Sequence, residues 1–85
     1  MSDPHGAIDA ATRLVALYQL RFGGKRNGRF RISRKYLHEL SGRKRLNDRY
    51  LRDIADEIFE FGYVFINLES YYVVLDQNLF TGYRR

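Results

Sequence analysis

Two helix-start signals follow each other closely in the middle of this 85-residue chain, and they constrain the fold more than any other feature. Each signal is an N-cap residue with one apolar residue directly before it and another four positions after it, the spacing of a hydrophobic staple. The residues are Ile32, Ser33 and Leu37 in the first signal and Leu46, Asn47 and Leu51 in the second. They predict consecutive helices over about 34–41 and 48–61, with Gly42 and Gly62 at their ends.

The pattern on either side of this pair predicts one further helix and three short strands. Before Gly23, apolar residues recur at steps of three or four, which is typical of a helix packed on one side. These residues are Ile8, Ala11, Leu14, Val15, Tyr18 and Phe22. Polar and apolar residues alternate over 29–32, which predicts a half-buried strand. Two β-rich runs, 63–66 and 71–75, are separated by four residues and predict a hairpin.

Chain length and composition limit the domain organisation. A chain of 85 residues buries one small core, so we expect a single α+β domain over 1–85, with a core over about 7–76 and a short tail over 77–85. The absence of cysteine excludes disulfide and thiolate-zinc scaffolds. No apolar run approaches the roughly 18–20 residues that span a bilayer. We therefore expect no membrane partner and a cytoplasmic location, with the nucleoid if the chain is prokaryotic.

The net charge of +5 conceals a division along the chain. Residues 21–52 carry twelve Lys and Arg against two acids, a balance of +10, whereas residues 53–82 carry six acids and no cation. A basic stretch beside an acidic one is typical of a surface that meets a polyanion on one side.

The predicted elements follow the order helix, short strand, helix, basic turn, helix and hairpin. The helix from Ser33 to Leu40 with Gly42, the helix from Asn47 to Phe61 with Gly62, and the hairpin from Tyr63 to Leu75 resemble a winged helix-turn-helix domain. The resemblance implies an α+β fold of three helices with a short strand and a C-terminal hairpin wing. It also implies double-stranded DNA as the partner, with the helix before the hairpin entering the major groove by its N-terminal half.

The first turns of the helix over 48–61 carry the residues that this resemblance places near bases and phosphates. They are Asn47, Arg49, Tyr50, Arg52 and Asp53. On a helical wheel, Arg49 lies opposite the apolar face and Arg52 lies on its flank. Each arginine has an acid four residues later, Asp53 or Asp56, so an alternative is that both form ordinary surface ion pairs. If Asn47 is the cap, the backbone already occupies its side chain.

Three further groups are candidates for contacts with phosphate. They are Ser33, Arg34 and Lys35 at the start of the second helix, Arg43, Lys44 and Arg45 in the basic turn, and Arg29 and Arg31 on the first strand. A helix start favours an anion, and loop cations hold a DNA backbone without sequence preference. The alternative is that Ser33 only caps its helix and that the cations are solvated. The hairpin tip over 67–70 has no cation, so we expect it to make no minor-groove contact.

These observations favour a sequence-specific protein that binds double-stranded DNA as a small transcriptional regulator. Two alternatives are a winged-helix protein-interaction module that uses the acidic face of residues 53–60, and an RNA-binding protein. The sequence has neither clustered metal ligands nor the residue order of a P-loop, so we expect no enzymatic activity, metal, cofactor or small-molecule ligand. A homodimer would double the base contacts across a two-fold site. Candidates for its interface, or for the core, are Leu17, Leu20, Leu79 and Phe80.

Overall fold

The computed structural model describes residues 6–23 and 28–82. Its elements are α1 (Ala7–Phe22), β1 (Arg29–Ser33), α2 (Arg34–Ser41), α3 (Asp48–Glu60), β2 (Tyr63–Asn67), β3 (Tyr71–Asp76) and α4 (Gln77–Gly82). The described residues form a small α+β domain of four helices and one three-stranded antiparallel sheet with the order β1-β3-β2. The predicted α+β class and the two central helices are confirmed. Over the same residues, no helix is both long and apolar enough to cross a membrane.

Local capping sets the limits of the two central helices. The Ser33 Oγ accepts a hydrogen bond from the Tyr36 N–H at 3.0 Å, as a cap of α2. The Asn47 Oδ1 accepts one from the Tyr50 N–H at 2.8 Å, as a cap of α3. Gly42 ends α2 with a φ of 72°, a left-handed conformation that costs glycine little because it has no Cβ. These local contacts position the short turn between α2 and α3.

The core lies between α1, α3 and one face of the sheet. Its buried side chains are Ala10, Ala11, Leu14 and Tyr18 of α1, Leu37 of α2, Leu46 of the turn, Tyr50, Leu51, Ile54 and Ile58 of α3, and Ile32, Phe65, Tyr72 and Val74 of the sheet. Along α3, the buried residues recur at steps of three and four, so one side of this helix faces the core and the other faces solvent.

Two apolar residues that the helical pattern assigns to the core lie in solvent instead. Ile8 is 64% exposed. It lies about 20° around the helix from Val15, which is buried, but it stands in the first turn of α1, where no other described element covers it. Phe61 is 46% exposed because α3 ends at Glu60 and the chain then turns at Gly62, where φ is 93°. In α1 and in α3, the apolar sequence pattern therefore extends beyond the residues that are buried.

The chain after β3 continues as α4, a fourth helix among the described residues, which corrects the predicted count of three helices. The Asp76 carboxylate accepts a hydrogen bond from the Asn78 N–H at 2.7 Å at the start of this helix. The Gln77 side-chain amide donates to the Phe59 carbonyl oxygen at 2.7 Å, and the Gln77 N–H donates to the Gly62 carbonyl oxygen at 3.1 Å. These bonds attach α4 to the end of α3. The remainder of the predicted tail, over 83–85, lies outside the described residues.

Tyr18 connects α1 to the chain segment before β1 and to the sheet. Its hydroxyl donates to the Gly28 carbonyl oxygen at 2.9 Å, and its ring centroid lies 4.8 Å from that of Tyr63. Burial, and after it the negative charge of Asp76, raises the pKa of the Tyr18 phenol above its ordinary value of 10.0. The hydroxyl therefore stays protonated and remains a donor at neutral pH.

Candidate nucleic-acid interface

The first two turns of α3 present two arginines to solvent. Arg49 and Arg52 are exposed, because α3 turns Leu51 and Ile54 into the core. In the part of the chain that the structure describes, neither arginine forms a salt bridge with the acid four residues later. The alternative of two surface ion pairs is therefore not observed. Both guanidinium groups are available to a partner.

Tyr50 belongs to the core and not to the exposed face predicted to contact DNA. Its side chain is 4% exposed and packs within the hydrophobic cluster. Tyr50 lies four residues before Ile54 and eight before Ile58, so it shares their helical face. Burial leaves the Tyr50 side chain little surface to offer to DNA, and its contact with DNA stays a prediction. Its ring instead supports Arg43, whose guanidinium carbon lies 3.9 Å from the ring centroid.

Asn47 is the cap of α3, which limits what its side chain can do for DNA. Its Oδ1 already accepts the Tyr50 N–H. Bidentate recognition of adenine needs both the oxygen and the amide nitrogen of an asparagine side chain. Asn47 therefore positions the helix start that carries Arg49, and its own contact with DNA stays a prediction.

The turn between α2 and α3 holds its first cation and exposes the next two. The Arg43 N–H donates to the Ser41 Oγ at 3.3 Å, and the Arg43 carbonyl oxygen accepts from the His38 Nδ1 at 2.9 Å. The cation–π contact of Arg43 contributes about 0.5–2 kcal/mol, depending on its exposure. Lys44 and Arg45 are exposed. The turn thus presents two exposed cations beside a third, Arg43, that is stacked on Tyr50.

The two cations at the start of α2 differ in their contacts: Arg34 is hydrogen-bonded to other elements, whereas Lys35 is available to a partner. Arg34 donates from Nη1 to the Tyr72 hydroxyl at 2.7 Å and from Nη2 to the Leu46 carbonyl oxygen at 3.4 Å. Arg34 therefore ties α2 to β3 and to the turn, a structural role that the sequence pattern does not reveal. Lys35 is exposed, and among the described residues its side chain has no hydrogen bond or salt bridge. Since the Ser33 Oγ is used as a cap, Lys35 is the group that this helix start offers to a phosphate.

The predicted residues gather in two places. A shallow depression of about 360 Å³ beside the start of α1 brings together the turn and α3; its lining includes Arg43, Asn47, Arg49, Tyr50 and Asp53. Arg31 and Ser33 line a different groove, next to α1. Arg29 and Arg31 are both exposed on β1. The first place unites the proposed base-reading helix with the basic turn, and we take it as the candidate interface.

The tip of the β2–β3 hairpin contributes no cation to this interface. Residues 67–70 are all exposed, and Glu69 adopts a φ of 69°. The Asn67 Oδ1 accepts the Glu69 N–H at 2.8 Å, which supports the turn. The tip therefore presents an acid to solvent, as its sequence indicates.

A surface groove between α1 and β1 was not predicted from the sequence. Leu17 and Leu20, candidates for the core or for a dimer interface, both line this groove. Leu17 is half-buried, whereas Leu20 is 82% exposed. Leu79 is half-buried, and the side chain of Phe80 lies outside the described residues. The signal for the groove was the position of Leu20 away from the apolar stripe of α1.

Comparison with known proteins adds no family to these observations. No protein-family model matches the sequence, and no curated protein or solved structure matches the chain.

Proposed function

We propose that this chain is a winged helix-turn-helix protein that binds double-stranded DNA sequence-specifically and acts as a small transcriptional regulator. The observation that carries the proposal is the pair Arg49 and Arg52. Both project from the first turns of α3, and in the described part of the chain neither has a salt bridge to the following acid. The order of α1, β1, α2, α3 and the hairpin supports the fold assignment, because a winged helix-turn-helix has this order.

In the proposed complex, base reading and phosphate binding are separate tasks. Arg49 and Arg52 enter the major groove, where an arginine bonds the O6 and N7 of guanine in a bidentate manner. Lys44 and Arg45, in the turn before α3, and Lys35, at the start of α2, contact phosphates, since their side chains are exposed. These contacts set the register of α3 on the duplex and supply affinity for any sequence.

The charge of α3 limits how much of the helix approaches DNA. Asp56 and Glu60 are exposed in its second half and repel phosphate. Only the first two turns therefore enter the groove, and the axis of α3 points its C-terminal end away from the duplex. The hairpin tip, whose charged residue is Glu69, adds no cationic contact to the minor groove.

The affinity for mixed-sequence duplex DNA as a function of salt tests the proposal. With four to six phosphates neutralised and a slope of about −0.9 per phosphate, affinity falls by about 10²–10³ between 50 and 200 mM salt. Absence of measurable duplex binding at the lower salt concentration would contradict the proposal. A selection from random duplexes then supplies the preferred site.

Residue roles are tested on that selected site and on a scrambled duplex. Arg49→Ala and Arg52→Ala should lower the preference for the selected site, each by about 1–3 kcal/mol. Lys44→Ala should weaken binding to both duplexes alike, because it removes a phosphate contact. Glu60→Gln is the control, since it changes the charge of α3 outside the interface. Equal small losses from all three cationic variants would mean that α3 does not read bases.

A second candidate function is protein–protein interaction through the acidic face of residues 53–60. The observation that favours it is Phe59, which is 58% exposed among these acids. A large aromatic side chain left in solvent beside charged residues is typical of an interaction surface. Apart from Asp53, which belongs to both, this surface and the DNA interface lie on opposite halves of α3, so the two functions are compatible.

A further inference from the structure

Two exposed apolar surfaces of this domain carry charges of opposite sign. The first is a groove of about 500 Å³ between α1 and β1, which we call the α1–β1 groove. Its lining includes Leu17, Leu20, Arg21, Phe30, Arg31 and Tyr36. The second is the end of α3, which we call the acidic aromatic end; it comprises Asp56, Phe59, Glu60 and Phe61, all exposed.

The α1–β1 groove combines exposed apolar side chains with an ordered cation. Leu20 and Tyr36 both remain in solvent, and Tyr36 is 41% exposed. The Arg21 guanidinium carbon lies 6.0 Å from the ring centroid of Phe22 and 5.9 Å from that of Phe30. These rings hold the cation beside the apolar lining. The groove therefore suits an apolar side chain that has a carboxylate next to it.

The β1 side of the groove carries a second cation of the same kind. β1 is an edge strand, because the sheet order is β1-β3-β2. The guanidinium carbon of Arg31 lies 4.6 Å from the ring centroid of Tyr71, which pairs with Ser33, two positions further along β1. Cations thus lie on both the helix and the strand that form the groove.

The acidic aromatic end has the complementary composition. Asp56 lies one helical turn before Phe59, and Glu60 follows it directly, so carboxylates adjoin the exposed ring. The hydrogen bond from Gln77 to the Phe59 carbonyl oxygen attaches α4 to this segment. The sequence places no Lys or Arg anywhere in 53–82, so no cation of that stretch neutralises these acids.

We propose that the acidic aromatic end of one copy docks in the α1–β1 groove of the next, so that copies of this chain associate head to tail. Phe59 of one copy packs against Leu20 and Tyr36 of the other. Asp56 and Glu60 then face the cations of the groove. The contact removes apolar surface from water on both sides and pairs opposite charges across it.

Charge selects this arrangement over a two-fold dimer. Two α1–β1 grooves brought together would place Arg21 of one copy near Arg21 of the other. Two β1 edges paired with each other would set Arg29 and Arg31 against the same residues, and like charges directly opposite are destabilising. Two acidic aromatic ends repel for the same reason. Among these pairings, only the α1–β1 groove of one copy against the acidic aromatic end of another brings opposite charges together.

A head-to-tail contact has consequences that a two-fold contact lacks. The two surfaces share no residue, so a head-to-tail dimer keeps one unused groove and one unused acidic aromatic end. Further copies can therefore add to either end, unless a ring closes. Taken with the proposed function, this would place successive copies next to each other on one duplex and make their binding cooperative. That consequence rests on the proposed function, whereas the association itself is measured without DNA.

Sedimentation velocity of the full chain without DNA tests the association. At about 50 mM NaCl the average mass should rise with protein concentration beyond twice the mass of the 10.1 kDa monomer. At about 500 mM NaCl the association constant should fall at least tenfold, since exposed charges are screened. A chain that stays monomeric at every concentration and salt would overturn the proposal.

Two variants, each damaged in one surface, identify the contact. Leu20→Glu places an acid in the groove, and Phe59→Ser removes the aromatic ring from the acidic end. Each variant alone should be monomeric. Their equimolar mixture should form a dimer and nothing larger, because one intact groove meets one intact acidic end. Ile8→Ser is the matched control, since Ile8 is exposed on α1 but belongs to neither surface, and it should associate as the unaltered chain does.

The remaining outcomes each contradict the proposal in a distinct way. If the mixture stays monomeric while circular dichroism shows both variants folded, the two surfaces do not meet. If Phe59→Ser alone forms dimers and Leu20→Glu does not, the contact is two-fold through the groove. Duplex binding by the unaltered chain is measured separately. If that chain associates but binds no duplex, the proposed function is overturned and the head-to-tail contact stands.

Discussion

The two halves of α3 bury the same kind of side chain but present opposite charges to solvent. Leu51 in the first half and Ile58 in the second are buried in one core. The first half exposes arginines and the second exposes carboxylates, namely Arg49, Arg52, Asp56 and Glu60. The comparison teaches that positions at core spacing specify the fold, whereas the positions between them are available to specify partners.

The last turn of α3 runs against its helix dipole, whereas the first turn is balanced. The first turn contains Asp48, which favours the positive end, and Arg49, which does not, and the last turn contains Glu60 and no basic residue. An acid in the last turn costs about 0.3–1 kcal/mol relative to a cation there. Selection for helix stability alone would favour a cation at this end. The acid at the end of α3 supports a contact outside the helix, such as the proposed one with a second copy.

Reversing one charge in each half should give the largest contrast. Arg52→Glu should weaken duplex binding about 10- to 100-fold, equivalent to about 1–3 kcal/mol, because a cation at the interface becomes an acid. Glu60→Arg should leave that affinity unchanged or raise it. Fluorescence anisotropy at one fixed salt concentration, with the protein dilute enough to be monomeric, measures both. Equal losses in the two variants would remove the distinction between the halves.

Changes at the cap separate the stability of α3 from its affinity for DNA. Asn47→Ala should lower the free energy of unfolding by about 1 kcal/mol, because the Tyr50 N–H loses its acceptor. Asn47→Asp keeps a capping oxygen, so stability should be retained, but the new charge beside Arg49 should weaken duplex binding. Urea denaturation and duplex titration measure the two effects. Full stability in the alanine variant, or full affinity in the aspartate variant, would contradict this assignment.

The smallest effect concerns the Tyr18 hydroxyl, whose pKa is raised by burial and by the negative charge of Asp76. The pKa of Tyr18 is raised in the folded protein, so its contribution to stability is present below pH 10.0 and is lost as pH rises through the folded pKa. Tyr18→Phe should cost about 1 kcal/mol near neutral pH, since the bond to Gly28 is lost. The stability difference between the two proteins should narrow above about pH 10 in urea denaturation. A stability difference that does not change with pH would mean that the pKa of Tyr18 is the same in the folded and unfolded states.

Local signals predicted a large part of the fold. Ser33 and Asn47 cap α2 and α3 as their sequence context indicates, and Gly42 ends α2. These contacts span a few residues, so the sequence pattern contains them. α4 was not predicted, because its first residue Gln77 is bonded to the carbonyl oxygen of Phe59, a residue distant in sequence.

The candidate site was predicted less completely than the fold. Helical spacing predicted that Arg49 and Arg52 are exposed. The same spacing could also have predicted that Tyr50 is buried, because Tyr50 shares the helical face of Ile54. The role of Arg34 did not follow from any local pattern. Its partner Tyr72 lies 38 positions away, and only the packing of α2 beside β3 brings the guanidinium to that hydroxyl.

The sequence alone determines the capped helix starts, the apolar spacing and the division of charge along the chain. All three arise from residues close together in sequence, where backbone geometry sets the distances. Tertiary packing determines which cations the fold uses and which remain for a partner. It commits Arg34 to Tyr72, stacks Arg43 on Tyr50 and leaves Arg49 in solvent. The same packing leaves Leu20 exposed, because a side chain is buried only where another element covers it.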